Sequence, residues 1–178
     1  MAENSQDKTS RLIHQGRSFQ LCVEEVELPN GHTATLDIVR HPGAAAVVPF
    51  LSRDEILLLR QFRHAAGGTI WEVPAGKLDD EAPAACAARE LAEEAGQRSG
   101  KLVELATIWT TPGFTDERIY LFAAFDLTPT TQQLEANEVI EVVPTPFDRA
   151  LEMIWRSEIS DAKSALALLH AAHYCGRL

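Results

Sequence analysis

The chain has 178 residues, 46% of them hydrophobic and 24% charged, which suits one domain or two compact lobes and excludes a fibre or a wholly disordered chain. A formal net charge of −10, without a cluster of Lys and Arg, argues against a nucleic-acid partner. Three widely spaced cysteines (Cys22, Cys86 and Cys175) predict neither a disulfide framework nor a structural zinc site and indicate a reducing, cytoplasmic setting. The polar start and the lack of an apolar run of about 18 residues predict no signal peptide and no membrane span.

Short apolar runs separated by turn residues predict a series of β-strands. Residues 1–11 are polar and are expected to form a flexible tail, and the next two runs flank Pro29-Asn30-Gly31-His32, a hairpin signal. The predicted strands cover residues 17–28, 33–40, 43–50, 55–60, 69–73, 102–110, 118–125 and 139–143. Apolar periodicity predicts helices over 83–95, 147–157 and 161–174. A mixed α/β or α+β sheet with helices on its faces follows from this pattern.

The helix predicted over 83–95 carries three acidic residues close together. At 100° per residue, Glu90, Glu93 and Glu94 fall within an arc of roughly 100°. They stand near the C-terminal end of the helix, where the macrodipole disfavours negative charge, and a Pro-Ala-Gly loop (74–76) brings backbone carbonyls close. A solvated acidic face is the simplest interpretation. Carboxylates combined with a carbonyl oxygen also suit Mg²⁺ or Mn²⁺, which would remove the repulsion, and the sequence therefore predicts a divalent-metal site.

Another side of this helix is rich in small residues. It is expected to face a core through Ala84, Ala87, Ala88, Leu91 and Ala95.

The segment from Gly76 through Glu81 to Arg89-Glu90-Leu91-Ala92-Glu93-Glu94-Ala95-Gly96 resembles the Nudix box, GX5EX7REUXEEXGU. Two departures stand out: four residues instead of five separate Gly76 from Glu81, and Gln97 replaces the final aliphatic residue. The first departure bears on where Glu81 and the Pro-Ala-Gly carbonyls lie. Outside the box, LLLRQFRHAAGGTIWEVPAG, TTPGFTDER and SDAKSALALL are similar to segments of ADP-ribose pyrophosphatases.

This resemblance implies an α+β fold, the α/β/α sandwich of Nudix proteins, formed by residues 42–178 as a Nudix hydrolase domain. Residues 12–41 would form a small N-terminal β lobe, exchanged between the subunits of a homodimer. The implied reaction is metal-dependent hydrolysis of the pyrophosphate of ADP-ribose to AMP and ribose 5-phosphate. Two alternatives remain open: another nucleoside diphosphate sugar, such as GDP-mannose, as the small-molecule substrate, or a non-catalytic Nudix domain that senses ADP-ribose.

The resemblance also assigns metal ligands. Glu90 and Glu94 would ligate Mg²⁺ or Mn²⁺, Glu93 would join or bridge the ions, and the Ala75 carbonyl would supply a further oxygen. Arg89 would orient Glu90 or Glu93.

A general base and a substrate-binding group complete the expected site. Glu117, in a loop able to close over substrate, is the expected base, and Asp116 is its neighbouring competitor. The alternative for Glu117 is a salt bridge at the start of a strand. Arg63 would bind phosphate, whereas Glu72 would accept a hydrogen bond from ribose or adenine or form a sheet-edge salt bridge. The remaining expected substrate-binding residues are Arg17, Phe19, Gly113 and Phe114, with a core position as the alternative for Phe19.

Overall fold

The computed structural model describes residues 7–178, with side chains from residue 9 onward. The chain divides into two compact units. The first contains the residues up to Gly43 together with Trp109–Arg118, and the second contains Ala44–Ile108 together with Ile119–Leu178. No helix in the described part of the chain is long and apolar enough to cross a membrane.

The first unit is built on a three-stranded antiparallel sheet, in the order β1-β2-β3. Its strands are β1 (Asp7–Gln15), β2 (Gln20–Glu27) and β3 (Thr33–Arg40), and β2 and β3 form the predicted hairpin. The segment 109–118 belongs to this unit, since the Val39 N–H donates to the Phe114 carbonyl at 2.8 Å.

The prediction of a flexible tail over residues 1–11 is wrong for residues 7–11. These residues lie in β1 and pair with β2, with Arg11 opposite Val23. Their polar side chains suggested a tail, but strand pairing uses the backbone, and an exposed strand accepts polar side chains. Residues 1–6 of the predicted tail lie outside the described residues.

The second unit combines two sheets and three helices. Its strands are β4 (Ala44–Pro49), β5 (Glu55–Arg63), β6 (Gly68–Glu72), β7 (Ala75–Lys77), β10 (Ile140–Pro146) and, apart from their junction residues with the first unit, β8 (Gln97–Trp109) and β9 (Arg118–Pro129). The helices are α1 (Pro83–Ala95), α2 (Phe147–Trp155) and α3 (Ala162–Tyr174). One sheet has the order β7-β4-β9-β8 and the other the order β10-β5-β6. The pairing of β4 with β9 is parallel, whereas β4 with β7, β5 with β6 and β5 with β10 are antiparallel.

Strand β4 lies between the two hydrophobic cores of this unit. All six of its residues are buried, and alternate side chains point to opposite faces. Ala46 and Val48 pack in a core with Phe147 and residues of α3, whereas Val47 packs in a second core with Leu91 of α1. A sheet therefore separates α1 from α2 and α3, and the predicted α/β/α sandwich is confirmed.

Long-range pairing accounts for two of the differences between the predicted and the observed strands. Ala75–Lys77, predicted as part of a loop, forms β7 by pairing with β4, where Ala75 lies opposite Ala46. Strand β8 starts at Gln97, five residues before the predicted start, directly after the helix-terminating Gly96. Three residues are too few to show a periodic pattern, so the sequence alone does not distinguish so short a strand from a loop.

Candidate active site

Helix α1 places Glu90 and Glu94 beside a core. Pro83 occupies its first turn, and Gly96 ends it in the left-handed conformation at φ 62°. Glu90 is 7% and Glu94 2% exposed, although both side chains are ionisable.

The predicted core face of α1 is only partly correct. Ala87, Leu91 and Ala95 are buried, but Ala84 and Ala88 are exposed. The buried face is rotated toward Glu90 and Glu94 because strand β7 covers that side of the helix.

The Pro-Ala-Gly segment lies directly against the two buried glutamates. The Ala75 N–H donates to Oε2 of Glu94 at 2.8 Å. A Cβ atom at Gly76 would lie 1.8 Å from Oε1 of Glu90, closer than any real contact. Position 76 therefore needs glycine, because only a residue without a side chain lets the backbone approach this carboxylate.

Arg89 ties together three of the acidic residues. Its Nη1 donates to Oε1 of Glu90 at 2.7 Å and to Oε2 of Glu93 at 2.8 Å, and its Nε donates to Oε1 of Glu81 at 2.8 Å. Its Nη2 donates to the Lys77 carbonyl at 3.1 Å. Burial opposes the charge of Arg89, but the hydrogen bonds to Glu81 and Glu93 outweigh it and raise the pKa of the guanidinium. The side chain therefore holds all three carboxylates.

The shortened loop before α1 is accommodated by a tight turn. Asp79 and Asp80 have φ values of 43° and 67°, and the Glu81 N–H donates to the Leu78 carbonyl at 2.8 Å. Two positive φ values at the centre of such a turn are the mark of type I′ geometry. The missing residue therefore does not detach Glu81, which still reaches Arg89.

The C-terminal end of α1 is capped by the segment 130–133. The carbonyls of Glu93, Glu94 and Gly96 accept hydrogen bonds from the Gln133 N–H (2.9 Å), Gln132 Nε2 (2.6 Å) and the Thr130 N–H (2.8 Å). These contacts satisfy carbonyls that a helix end leaves without intrahelical partners.

The buried carboxylates carry negative charge at an energetic cost. The pKa of Glu94 is raised to about 8, chiefly by burial; the charges of Glu90 and Glu138 act in the same direction, and the Ala75 N–H and Arg63 oppose it. Burial also raises the pKa of Glu90, where the charges of Glu93 and Glu138 add to the effect and Arg89 opposes it. A nearby cation would relieve this cost.

Carboxylate and carbonyl oxygens are suitable ligands for a divalent metal, but here they are not already arranged around a single metal position. Within residues 7–178, no group of three or more His, Cys, Asp or Glu side chains is close enough to hold a metal ion. Arg89 holds one oxygen each of Glu90 and Glu93, and the Ala75 N–H holds one oxygen of Glu94. Burial and, to a smaller extent, repulsion from neighbouring carboxylates raise both pKa values, and a bound divalent cation would offset both effects.

Glu138 is an acidic residue near this group that the sequence did not single out. It precedes β10, and its charge acts on both Glu90 and Glu94. Its Oε2 accepts a hydrogen bond from the Glu135 N–H at 2.7 Å. The only available signal was an acid immediately before a predicted strand, which is too common to identify a site.

Arg63 and Glu72 form a two-pronged ion pair at the ends of β5 and β6. Nε and Nη2 of Arg63 donate to Oε1 and Oε2 of Glu72 at 2.9 and 2.7 Å. Lys163 also donates to Oε2 of Glu72 at 2.9 Å, so the salt-bridge alternative for Glu72 is observed. The Arg63 side chain remains 41% exposed, and its charge reaches Glu94, which places it on the side of the α1 glutamates.

The first unit contains the remaining expected residues. Glu117 accepts a hydrogen bond from Oγ1 of Thr110 at 2.8 Å and lies 3.5 Å from Nδ1 of His41. Asp116 accepts from Nη1 of Arg40 at 3.0 Å and from the His41 N–H at 2.8 Å. Asp116 therefore holds the local backbone, which leaves Glu117 as the better candidate base of the two.

Four substrate-binding candidates of the first unit are accessible. Arg17, Phe19 and Phe114 are exposed, and open space surrounds the position where a side chain at Gly113 would stand. The core alternative for Phe19 is wrong, because its ring is exposed at the turn between β1 and β2.

Comparison with known proteins defines the family. The NUDIX domain family model matches residues 39–165, and the chain belongs to this family. Members generally depend on a divalent metal ion. A Bacillus subtilis (strain 168) protein named ADP-ribose pyrophosphatase is 40% identical over 159 residues, which cover 88% of this chain and 86% of the relative.

Two further similarities extend over nearly the full chain. A Bacillus methanolicus protein named methanol dehydrogenase activator is 37% identical over 173 residues, covering 94% of each chain. The crystal structure of an ADP compounds hydrolase superposes with a TM-score of 0.84, covering 100% of this chain and 99% of the other, at 19% identity. The structural match confirms the fold.

Proposed function

We propose that this protein hydrolyses ADP-ribose at its pyrophosphate to AMP and ribose 5-phosphate, with Mg²⁺ or Mn²⁺. The observation that carries the proposal is the pair Glu90 and Glu94, two buried carboxylates whose pKa values are raised, with the charge of Arg63 within reach. The similarity to the Bacillus subtilis ADP-ribose pyrophosphatase supports the choice of substrate.

The residues divide into a metal side and a phosphate side. Glu90, Glu93, Glu94 and the Ala75 carbonyl would hold the divalent ion, which when bound supplies positive charge to the pyrophosphate oxygens and acidifies water. Arg89 keeps Glu90 and Glu93 in place, and its removal would release both of them together.

Arg63 would bind the substrate phosphate. Glu72 holds the guanidinium through Nε and Nη2, and a guanidinium can still donate from its remaining N–H groups. A guanidinium whose orientation is fixed in this way suits bidentate recognition of phosphate oxygens. Arg17, Phe19, Gly113 and Phe114 would contact the nucleoside or the sugar, and their exposure supports this role.

Two glutamates compete for the role of general base. Glu117 is held by Thr110 and lies near His41, which orients it for proton transfer from water. Glu138 is the second candidate because its charge acts on Glu90 and Glu94. We propose Glu117. Comparing Glu117→Gln with Glu138→Gln decides between them: the base variant loses kcat without losing ADP-ribose affinity, and its acidic pH limb disappears.

We further propose a cytoplasmic homodimer in which the N-terminal β lobe, residues 12–41, is exchanged. Leu12, Ile13 and Phe19 are exposed apolar residues on this lobe, which supports a covering partner subunit. The three free cysteines support a reducing compartment. Light scattering on the full chain and on a chain starting at Ala44 tests the exchange, and a folded dimer of the shortened chain would contradict it.

The decisive experiment is hydrolysis of ADP-ribose with Mg²⁺, beside GDP-mannose, ADP-glucose and NADH. The inactive reference is Glu94→Gln, and the matched control is Glu104→Gln, which changes an exposed glutamate of β8. Fastest release of AMP from ADP-ribose, lost in Glu94→Gln and kept in Glu104→Gln, supports the proposal. Faster cleavage of another substrate would replace ADP-ribose while retaining the reaction.

A second candidate function is regulation of a partner enzyme without turnover. The similarity to the methanol dehydrogenase activator favours it, and a domain that senses ADP-ribose is one form that this function could take. Binding of ADP-ribose without hydrolysis of any substrate, at every Mg²⁺ or Mn²⁺ concentration, would select this function.

A further inference from the structure

We propose that Lys163 is a positioning residue that holds Glu72, and through Glu72 aims Arg63 at the substrate phosphate. The inference rests on the proposed function and extends it, since a residue of a helix far along the chain would set the orientation of the phosphate-binding Arg63. Lys163 lies on α3, and 91 residues separate it from Glu72.

The contacts form a chain from α3 to the site. Nζ of Lys163 donates to Oε2 of Glu72 at 2.9 Å and to Oδ2 of Asp161 at 2.8 Å. Glu72 in turn holds Arg63 through both of its oxygens. Lys163 and Arg63 therefore share one carboxylate, and a shift of the first is transmitted to the second.

Burial makes this chain stiff. The side chains of Glu72 and Lys163 are 3% and 15% exposed, whereas that of Arg63 is 41% exposed. The two inner groups therefore have little freedom, and only the outermost group faces solvent. This rise in exposure is expected if buried groups fix the Arg63 guanidinium while its remaining N–H groups face a ligand in solvent.

The charges balance within the cluster. Two cations, Lys163 and Arg63, face two carboxylates, Glu72 and Asp161. The pKa of Glu72 is lowered: burial would raise it, but the Arg63 hydrogen bond and the charge of Lys163 outweigh burial. Without Lys163, a buried carboxylate would depend on Arg63 alone and would draw that guanidinium inward, away from the substrate.

The start of α3 anchors Lys163 itself. Asp161 caps the helix, accepting from the Ser164 N–H at 3.0 Å and from the Ser164 hydroxyl at 2.5 Å. The Val73 N–H donates to Oγ of Ser164 at 3.0 Å. Helix α3 therefore contacts two adjacent residues, Glu72 through an ion pair and Val73 through a backbone hydrogen bond. Together these contacts fix the position of Lys163.

A double-mutant cycle between Lys163 and Arg63 tests the inference. Lys163→Met keeps the length of the side chain and removes its charge. We expect it to raise KM for the nucleotide sugar about 10-fold or more with little change in kcat, since ground-state and transition-state binding are lost equally. In an Arg63→Ala background, Lys163→Met should change KM less than about 2-fold, because its effect passes through Arg63.

Three further measurements separate positioning from plain stability. Lys163→Arg should recover most of the lost affinity, because it restores a cation beside Glu72. Lys101→Met, a change of a lysine on β8 outside this cluster, should leave KM unchanged. Thermal unfolding reports whether Lys163→Met folds, and if it does not, Lys163→Gln and the arginine variant carry the cycle. Equal KM effects of Lys163→Met with and without Arg63 would overturn the inference.

The readout does not depend on ADP-ribose being the substrate. The cycle is measured on whichever nucleoside diphosphate sugar the wild-type chain hydrolyses fastest. If it hydrolyses none, calorimetric affinity for ADP-ribose or inorganic pyrophosphate with Mg²⁺ replaces KM, so a failed hydrolase and a failed positioning residue give different results. A wild-type chain that binds neither ligand would overturn the role of Lys163 along with that of Arg63.

Discussion

The second unit contains two buried glutamate clusters with opposite electrostatics. Glu72 is buried between Arg63 and Lys163, and its pKa is lowered. Glu94 is buried as deeply, beside Glu90 and within reach of Glu138, and its pKa is raised to about 8. Burial acts in the same direction on both, so the neighbouring charges decide the outcome. A buried carboxylate that is neutralised by cations of the chain stabilises the structure. A cluster that keeps excess negative charge is suited to binding an external cation.

Replacing each glutamate by glutamine gives the largest contrast between the clusters. Glu94→Gln should lower kcat at least about 100-fold, because it removes a metal-ligand charge. It should also raise the apoprotein Tm by roughly 2–6 °C at pH 8, since a costly buried charge disappears. Glu72→Gln should lower Tm by roughly 4–8 °C, because it leaves two cations without their carboxylate. Scanning calorimetry with chelator and steady-state kinetics measure both effects. Tm changes of the same sign would contradict the comparison.

Closing the approach between β7 and α1 should have the next largest effect. In Gly76→Ala, the added Cβ would meet Oε1 of Glu90 at 1.8 Å, so the strand or the carboxylate must move. We expect roughly 1–3 kcal/mol of destabilisation and a substantial loss of kcat. Gly68→Ala is the matched control, since nothing lies within 4 Å of its Cβ position. Urea unfolding and Mg²⁺-dependent rates compare the two, and equal behaviour would show that the close approach is unimportant.

The pH dependence of stability should distinguish the Glu94 cluster from the Glu72 cluster by a smaller effect. Because the folded-state pKa of Glu94 is raised above its unfolded value of 4.5, the native state binds the extra proton between these values. The contribution of Glu94 to stability is therefore greatest at low pH and falls as pH rises toward about 8. Glu72, with its lowered pKa, contributes stability that is present above its unfolded pKa and lost on acidification.

Metal addition should oppose the Glu94 effect. Mg²⁺ binds the ionised carboxylates, so its stabilisation should increase between pH 6 and pH 8 and should vanish on chelation. Unfolding curves with Mg²⁺ and with chelator, for wild type and Glu94→Gln, provide the measurement. A pH-independent Mg²⁺ effect in the wild type would count against metal binding at this glutamate.

The turn before α1 should show the smallest effect. Asp80 has φ 67°, a conformation that glycine adopts more easily than aspartate. Asp80→Gly should stabilise the fold by about 0.5–1 kcal/mol and leave kcat unchanged, and Asp80→Val should destabilise it. Denaturant midpoints test this, and a loss of stability in Asp80→Gly would contradict the assigned turn geometry.

Local signals predicted the helix bearing the metal-candidate glutamates, but not the partners of the other cluster. Pro83 and Gly96 mark the ends of α1 in the sequence, and the structure places both ends there. The contact between Lys163 and Glu72 spans 91 residues and depends on the packing of α3, so no spacing rule indicates it. Strand β1 and Glu138 were missed for the same reason: strand pairing and charge proximity are properties of the folded chain.

The capped end of α1 constrains how this chain can change in length. Thr130, Gln132 and Gln133 donate to the carbonyls of Gly96, Glu94 and Glu93, so the position of this stretch along the helix end is fixed. An insertion within it would shift at least one donor and free the helix end that carries two of the acidic side chains. The next residues, 134–137, make no such bonds to α1 among the described contacts. Evolutionary insertions and grafted tags in this connection should therefore be tolerated after Gln133 and selected against before it.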